Sequence, residues 1–169
     1  HRIYNLPVCV SRSGNVFGPG DMNFNRLIPG TIKSIISDDD IIIRSDGTNI
    51  REYFYVRDAV DAYLALAENM DRKEILGHAF NFSSGEKMTV MAVVSGILEI
   101  MKSYKTPRIM NTAKNEIKHQ VLSIEKAKDM LGWRPKYTFN NALQETIAWY
   151  KNFFTATKFG SYNTASQQR

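Results

Sequence analysis

Apolar positions recur along the chain with two different spacings, and together they predict strands that alternate with helices. Short apolar or alternating runs predict strands at residues 8–10, 41–43, 51–56, 78–83 and 108–111. Apolar residues three or four positions apart predict helices over residues 27–36, 58–69, 89–101 and 123–132, and a last helix presenting Leu143, Ile147, Tyr150 and Phe154. Such an alternation is typical of an α/β fold with a mixed sheet.

Residues at the ends of these segments predict where the helices begin and end. Asp58 and Ser123 stand where N-caps are expected, and Pro29 falls in a first turn, where proline is tolerated. Gly132 is placed to end the helix that Ser123 starts. The glycines and the proline within residues 13–23 predict a loop without regular structure.

The charge balance narrows the classes of ligand. The chain has 22 Lys and Arg residues against 17 Asp and Glu, a formal net charge of +5. The basic residues are scattered, and the longest run of like charge is acidic, at residues 38–40. A nucleic-acid-binding surface is therefore not expected, whereas a small anion needs only two or three of these cations. No apolar run approaches the ~20 residues that cross a bilayer, so no membrane association is expected.

The positions of the cysteine and the histidines do not predict a metal site. The single cysteine, Cys9, lies in the apolar run PVCV, where it is expected to act as a small buried hydrophobe. His1, His78 and His119 are far apart and lack the spacing of metal ligands. A reducing, cytoplasmic setting is expected.

The first residues resemble the interior of a protein. Residues 1–5 have the character of the last turn of a helix, and an apolar strand follows at residues 8–10. We therefore expect the chain to be the later part of a longer protein. A strand of continuous apolar character needs cover on both faces, so we expect one face to be exposed and the chain to form a homo-oligomer.

The loop sequence GNVFGPG matches G-x-x-x-G-x-G, a pattern of dinucleotide-binding loops, and it follows a predicted strand. Such a loop needs a helix that starts among its glycines and points free backbone N–H groups at the pyrophosphate. Here Pro19 lacks that donor, and the helical pattern begins only at about Asn25. The glycines are expected instead to allow close approach of another ligand or to form a tight surface loop.

Two arginines flank a tight turn in the stretch IIIRSDGTNIREYFYVRDAV, residues 41–60. Arg44 ends a β-branched run, Asp46 and Gly47 form the turn, and Arg51 begins an aromatic strand. A guanidinium is planar, permanently charged and able to bind two oxygens at once. We therefore expect an anionic ligand at this edge of the fold.

Five segments occur in one order: GNVFGPG, RLIP, RSDGTNIREYFYVRDAVDAYL, FNFSSGEKMT and KAKDMLGWRPKYTFNNALQETIAWY. The series resembles the NAD-dependent nucleotide-sugar epimerases and dehydratases, which are extended short-chain dehydrogenases, and is most similar to the CDP-glucose 4,6-dehydratase branch. The resemblance covers about residues 1–154. It implies the C-terminal substrate-binding lobe of that fold together with the last strands of a Rossmann sheet. Residues 155–169 are polar and aperiodic and are expected to be disordered.

The resemblance also implies a set of residues that bind a nucleotide-diphosphate sugar. Arg51 would bind the diphosphate, and Asn15 would donate to the same phosphates. Arg26 and Leu27 would line the nucleotide. Asn81 would reach in from the next strand.

The implied cofactor of the full-length enzyme is NAD. The family moves protons with a Tyr-x-x-x-Lys pair, and no tyrosine of these 169 residues is followed by lysine four positions later. No catalytic, metal-binding or NAD-binding residue is therefore assigned in this chain.

Other residues of the same segments are expected to be structural. Arg44 is expected to support the fold, and His119 and Gln120 to lie in a solvated loop. Glu52 stands where the family has aspartate after the phosphate-binding arginine, and Ser123 replaces an aspartate before a late helix. Three functions stay open, because the residues that distinguish them belong to the other lobe: a 4,6-dehydratase, a 4-epimerase, or a nucleotide-sugar-binding module without catalysis.

Overall fold

The computed structural model describes residues 1–113 and 116–165, and of residues 158–165 the backbone alone. Its strands are β1 (Val10–Ser13), β2 (Asn15–Phe17), β3 (Ile42–Ile43), β4 (Ile50–Tyr55), β5 (Ala79–Phe82), β6 (Lys87–Thr89) and β7 (Arg108–Ile109). Its α-helices are α1 (Leu27–Ile36), α2 (Val56–Glu68), α3 (Val90–Met101), α4 (Glu125–Leu131) and α5 (Phe139–Ala165). The predicted α/β class is confirmed.

The strands form three small sheets with parallel and antiparallel pairs. β1 pairs with β5 in parallel, and β3 pairs with β7 in parallel. β4 lies between two partners, β2 in parallel and β6 antiparallel. β3 and β4 are therefore not a hairpin, although the Asp46-Gly47 turn separates them by only a few residues.

β4 is buried on both faces and separates two hydrophobic clusters. Tyr53 and Tyr55 belong to the first cluster, which α1, α3 and α5 cover. Phe54, between them, belongs to the second cluster, which α2, α4 and β5 cover. Because successive side chains of a strand point to opposite faces, these three residues join both clusters in one strand.

Large apolar side chains fill both clusters. In the first cluster, α1, α3 and α5 each contribute a fully buried side chain with 0% exposed area. These side chains are Ile32, Ile97 and Leu143. In the second, the Trp133 ring packs edge-on against Phe82 at 4.9 Å between centroids. Burial of each such side chain contributes about 1.5–3 kcal/mol to stability.

Several predicted helix ends are confirmed. α1 begins at Leu27, so Pro29 lies in its first turn. Thr89 caps α3, since its side chain accepts a hydrogen bond from the Ala92 N–H. Gly132 follows α4 with a φ of 66°, the left-handed conformation in which glycine has no steric penalty.

Two strand predictions at the start of the chain require correction. The first strand lies at Val10–Ser13 and not at residues 8–10, because residues 10–13 pair with β5. Val8 and Val10 are 40% and 50% exposed, so the expected exposure of this apolar segment is confirmed. The predicted loop over residues 13–23 contains β2, because pairing with β4 holds Asn15–Phe17 extended despite the neighbouring glycines.

Two predicted N-caps are wrong. α2 begins at Val56, and Asp58 lies buried in its first turn. The Asp58 carboxylate accepts hydrogen bonds from the backbone N–H groups of Lys136, at 2.9 Å, and Tyr137, at 3.3 Å. The N-cap of α4 is Ile124, one residue after Ser123. The Asp58 carboxylate is thus engaged by a distant segment, whereas the Ser123 hydroxyl still accepts from the Glu125 N–H at 3.5 Å.

The last helix, α5, extends to Ala165, past residue 155 where a disordered tail is predicted to begin. No proline interrupts this stretch, and each added residue extends a helix that packing has already nucleated. Residues 166–169 lie outside the described residues. Within the described part of the chain, no helix combines the length and the apolar character needed to cross a membrane.

Asp58 is expected to stabilise the fold through its two backbone partners. Replacing it by alanine would leave two partly buried N–H groups without acceptors, at about 1–3 kcal/mol each. Chemical denaturation of Asp58→Ala should therefore show a free energy of unfolding lower by about 2–6 kcal/mol.

Asp61→Ala is the matched control for this prediction. Asp61 lies on the same helix and forms an exposed ion pair with Lys136 at 2.5 Å, and exposed pairs contribute less than about 1 kcal/mol. Equal losses for the two variants would contradict the role given to Asp58.

Candidate anion-binding groove

A groove of about 1010 Å³ opens between α1, the end of β2, the start of β4 and the segment that follows residue 115. Its size matches pockets that hold a nucleotide or another ligand of that size. It brings together four of the five site residues predicted from the sequence: Asn15, Arg26, Leu27 and Arg51. The geometry thus joins residues that lie up to 36 positions apart in the sequence.

Arg51 is the half-buried cation at one side of the groove. Its Nη1 donates to the carbonyl oxygens of Ile50, at 2.9 Å, and Lys118, at 3.5 Å. Arg51 forms no ion pair with any carboxylate of residues 1–113 and 116–165. Its charge is therefore not neutralised by a neighbour and stays available to an anion.

Arg26 also lines the groove, at the N-terminus of α1. Its Nη1 is 2.7 Å from the Asp21 carboxylate, and its Nη2 donates to the Val16 carbonyl at 2.5 Å. These contacts hold the guanidinium in place and neutralise part of its charge. The first turn of α1 lines the groove as well, and the partial positive charge of a helix N-terminus favours a bound anion.

Asn15 and Leu27 are positioned in the groove by the strand and the helix that they begin. Asn15 begins β2, and its Nδ2 donates to the Glu52 carbonyl at 3.3 Å. Leu27 begins α1 and packs against the first hydrophobic cluster. Asn15 can thus offer an amide hydrogen to a ligand, and Leu27 an apolar surface.

Asn81 lies elsewhere. It stands on β5, which pairs with β1, and its Nδ2 donates to the Ser123 carbonyl at 3.2 Å. It does not contribute to the groove that the other four residues line. The structure therefore separates Asn81 from its predicted partners, because β5 belongs to a different sheet from β2 and β4.

Tyr53, Glu116 and Gln120 are among the other residues that line the groove. Gln120 was expected in a solvated loop, and the other two were not predicted as site residues. For Tyr53 the sequence held a signal, since it lies two positions after Arg51 on the same face of a strand. For Glu116 the sequence held none, because its position depends on a long-range contact.

Burial raises the pKa of the Tyr53 phenol to about 12, against the opposing effect of the Arg51 charge. The phenol therefore stays neutral at physiological pH and adds no negative charge to the groove. The described residues contain no cluster of histidine, cysteine or carboxylate side chains that could hold a metal ion.

The sequence model of the NAD-dependent epimerase/dehydratase family matches residues 1–82. The expected resemblance to this family is confirmed, and the chain is similar to its members. Among its curated relatives is the dTDP-glucose 4,6-dehydratase of Haemophilus influenzae, 29% identical over 163 residues, which cover 89% of this chain and 46% of the relative. Human dTDP-D-glucose 4,6-dehydratase is 26% identical over 159 residues, which cover 89% of this chain and 43% of that protein.

Solved structures of epimerase/dehydratase proteins share the fold. The UDP-glucose 4-epimerase of Thermotoga maritima, crystallised with UDP-glucose, superposes with a TM-score of 0.81 at 26% identity and covers 90% of this chain and 48% of that one. The dTDP-glucose 4,6-dehydratase of Bacillus anthracis, in complex with NAD, gives a TM-score of 0.78 at 28% identity, covering 89% and 46%. The chain spans about half the length of the curated relatives that it matches.

The raised pKa of Tyr53 predicts a change in stability at alkaline pH. Between pH 10 and about 12 the folded chain keeps the Tyr53 proton, whereas the unfolded chain releases it, so stability falls as the pH rises. Below pH 10 both states are protonated and the contribution is constant. Tyr53→Phe should reduce this fall by up to about 1.4 kcal/mol per pH unit, measured by urea unfolding across that window.

Tyr104→Phe provides the control, because Tyr104 is 100% exposed. Its removal should leave the pH dependence unchanged. A Tyr53→Phe variant with the same alkaline slope as the unmodified chain would contradict the assignment.

Proposed function

We propose that this chain is the substrate-binding part of an NAD-dependent nucleotide-sugar 4,6-dehydratase, and that its groove binds the diphosphate of the sugar donor. The observation that carries the proposal is the shared groove of Arg51, Arg26 and Asn15. Two guanidinium groups and a side-chain amide in one groove can donate hydrogen bonds to the oxygens of a diphosphate. NAD is the cofactor of the complete enzyme under this proposal, in keeping with the NAD in the Bacillus anthracis relative.

Each residue has a distinct part in the proposed complex. Arg51, which pairs with no carboxylate of the described residues, supplies the main charge. Arg26, whose guanidinium Asp21 holds in place, orients the diphosphate, and Asn15 donates to a phosphate oxygen. Leu27 provides an apolar surface for the nucleoside. Asn81 has no part in this groove.

We propose CDP-glucose as the donor, from the sequence resemblance to the CDP-glucose 4,6-dehydratase branch. The names of the matched relatives give donors with other bases. The two dehydratases are named for dTDP-glucose, and the Thermotoga maritima epimerase is named for UDP-glucose. The diphosphate and the glucose are common to all of these donors, so the contacts of Arg51 and Arg26 do not depend on the base.

A 4-epimerase is the second candidate, favoured by the structural likeness to the Thermotoga maritima UDP-glucose 4-epimerase. Mass spectrometry of the product made by the full-length natural protein distinguishes the two reactions. A dehydratase product is lighter by one water, and an epimerase product has the mass of its substrate. A protein that binds the donor and forms neither product would be the third alternative, a binding module.

Arg51 is expected to account for much of the affinity for the donor. A hydrogen bond to a charged group contributes about 1.5–3 kcal/mol, which corresponds to roughly tenfold to a hundredfold in affinity. Calorimetric titration with CDP-glucose should show a dissociation constant raised by that factor in Arg51→Ala. Arg51→Lys should recover part of the loss, because an ammonium cannot bind two oxygens in the plane of a guanidinium.

Arg12→Ala is the matched control, since it removes the same charge from β1, outside the groove. It should bind the donor as the unmodified chain does. Unchanged affinity in Arg51→Ala, or an equal loss in Arg12→Ala, would place the diphosphate elsewhere.

The identity of the base has its own test. Competition between CDP-, UDP- and dTDP-glucose for the unmodified chain should rank CDP-glucose first if the proposed donor is right. A tighter complex with dTDP- or UDP-glucose would assign the chain to that donor, while leaving the diphosphate contacts of Arg51 in place.

A further inference from the structure

Residues 116–122 form one wall of the groove and run beside β4. The Ile50 N–H donates to the Lys118 carbonyl at 2.8 Å, and the Gln120 N–H donates to the Ile50 carbonyl at 3.1 Å. At the far end, the Leu122 N–H donates to the buried Glu52 carboxylate at 2.7 Å. This wall is therefore held by the backbone of Ile50 and by the side chain of Glu52.

Asn49 holds the near end of the wall. Its side chain is 1% exposed, and its Nδ2 donates to the carboxylate of Glu116. Its Oδ1 has no partner among residues 1–113 and 116–165. Among the described residues, the contact with Glu116 is thus the one hydrogen bond of this buried amide side chain, and burial of an amide is costly unless it is hydrogen-bonded.

Glu116 presents a negative charge to a groove in which an anion is proposed to bind. Arg51 lies close by along the wall, since its Nη1 is 3.5 Å from the carbonyl of Lys118, two residues after Glu116. A carboxylate that is free to turn pairs readily with a guanidinium that has no other carboxylate partner. Such a pair would neutralise Arg51 and compete with a phosphate for the same N–H groups.

We propose that Asn49 is a positioning residue for the groove: its amide holds the Glu116 carboxylate away from Arg51 and so keeps Arg51 open to a diphosphate. This inference rests on the proposed function and adds a residue that does not itself touch the ligand. It also assigns an effect to Glu116: once released from Asn49, its carboxylate competes with the bound anion for Arg51.

Asn49→Ala tests the proposal together with the double variant Asn49→Ala/Glu116→Gln. Titration with inorganic pyrophosphate and with CDP should show affinity about tenfold weaker in Asn49→Ala, the scale of one charge-assisted hydrogen bond. The double variant should recover most of the affinity, since glutamine carries no charge to pair with Arg51. Loss without recovery would show that Asn49 only supports the fold, and unchanged affinity in Asn49→Ala would also overturn the proposal.

Asp46→Asn is the control, at a residue that contacts the same wall and is not among the residues lining the groove. Asp46 forms an ion pair with Lys118 at 2.5 Å, and asparagine preserves its turn while removing the charge. Affinity for both probes should stay unchanged. If Asn49→Ala does not fold, Asn49→Ser replaces it, because serine is too short to reach Glu116.

A measurement without ligand separates this inference from the proposed function. The Nε–Hε resonance of Arg51 in a ¹⁵N NMR spectrum should shift in Asn49→Ala, as the new ion pair forms, and return in the double variant. If the unmodified chain binds neither probe, the proposed function fails while this result still decides the role of Asn49. An Arg51 resonance that does not respond to Asn49→Ala would overturn it.

Discussion

The burial of β4 on both faces is the constraint on which the rest of the structure depends. Tyr53 and Tyr55 point into the cluster covered by α1, α3 and α5, and Phe54 points into the other. A slip of one residue would exchange these faces and expose the wrong side chains, so the register is strongly fixed. Because Arg51 is two positions from Tyr53, the same alternation directs it toward the α1 side, where the groove lies.

The part of the groove that Arg26 lines is held by contacts from a distant helix. The Tyr150 hydroxyl of α5 donates to the Asp21 carbonyl at 2.5 Å, and the Asp21 carboxylate pairs with Arg26. The segment before α1 is thereby tied to the core, and the Arg26 guanidinium takes a fixed direction. A groove with one arginine fixed by a carboxylate and another without one is suited to a multiply charged ligand, because the free cation supplies attraction and the fixed one supplies geometry.

The candidate site was predictable where its residues lie in regular elements with a clear pattern. Arg51 lies near the start of an alternating aromatic strand, and Arg26 and Leu27 stand at the start of a helix with a regular apolar stripe, so family resemblance and pattern agree there. Asn81 also lies on a predicted strand, yet that strand pairs with β1 and faces Ser123. Glu116 was not predicted, since the hydrogen bond that places it joins residues 67 positions apart.

The sequence by itself determined the α/β class, most helix positions and the character of β4, because hydrophobic spacing and local turn chemistry act over a few residues. It also determined the C-terminal end of α4, where Gly132 takes a left-handed conformation. Tertiary structure alone decided which strands pair, that residues 15–17 are extended, and that Asp58 accepts from Lys136 and Tyr137. These features depend on contacts between segments far apart in the chain, and such contacts exist only after both clusters have packed.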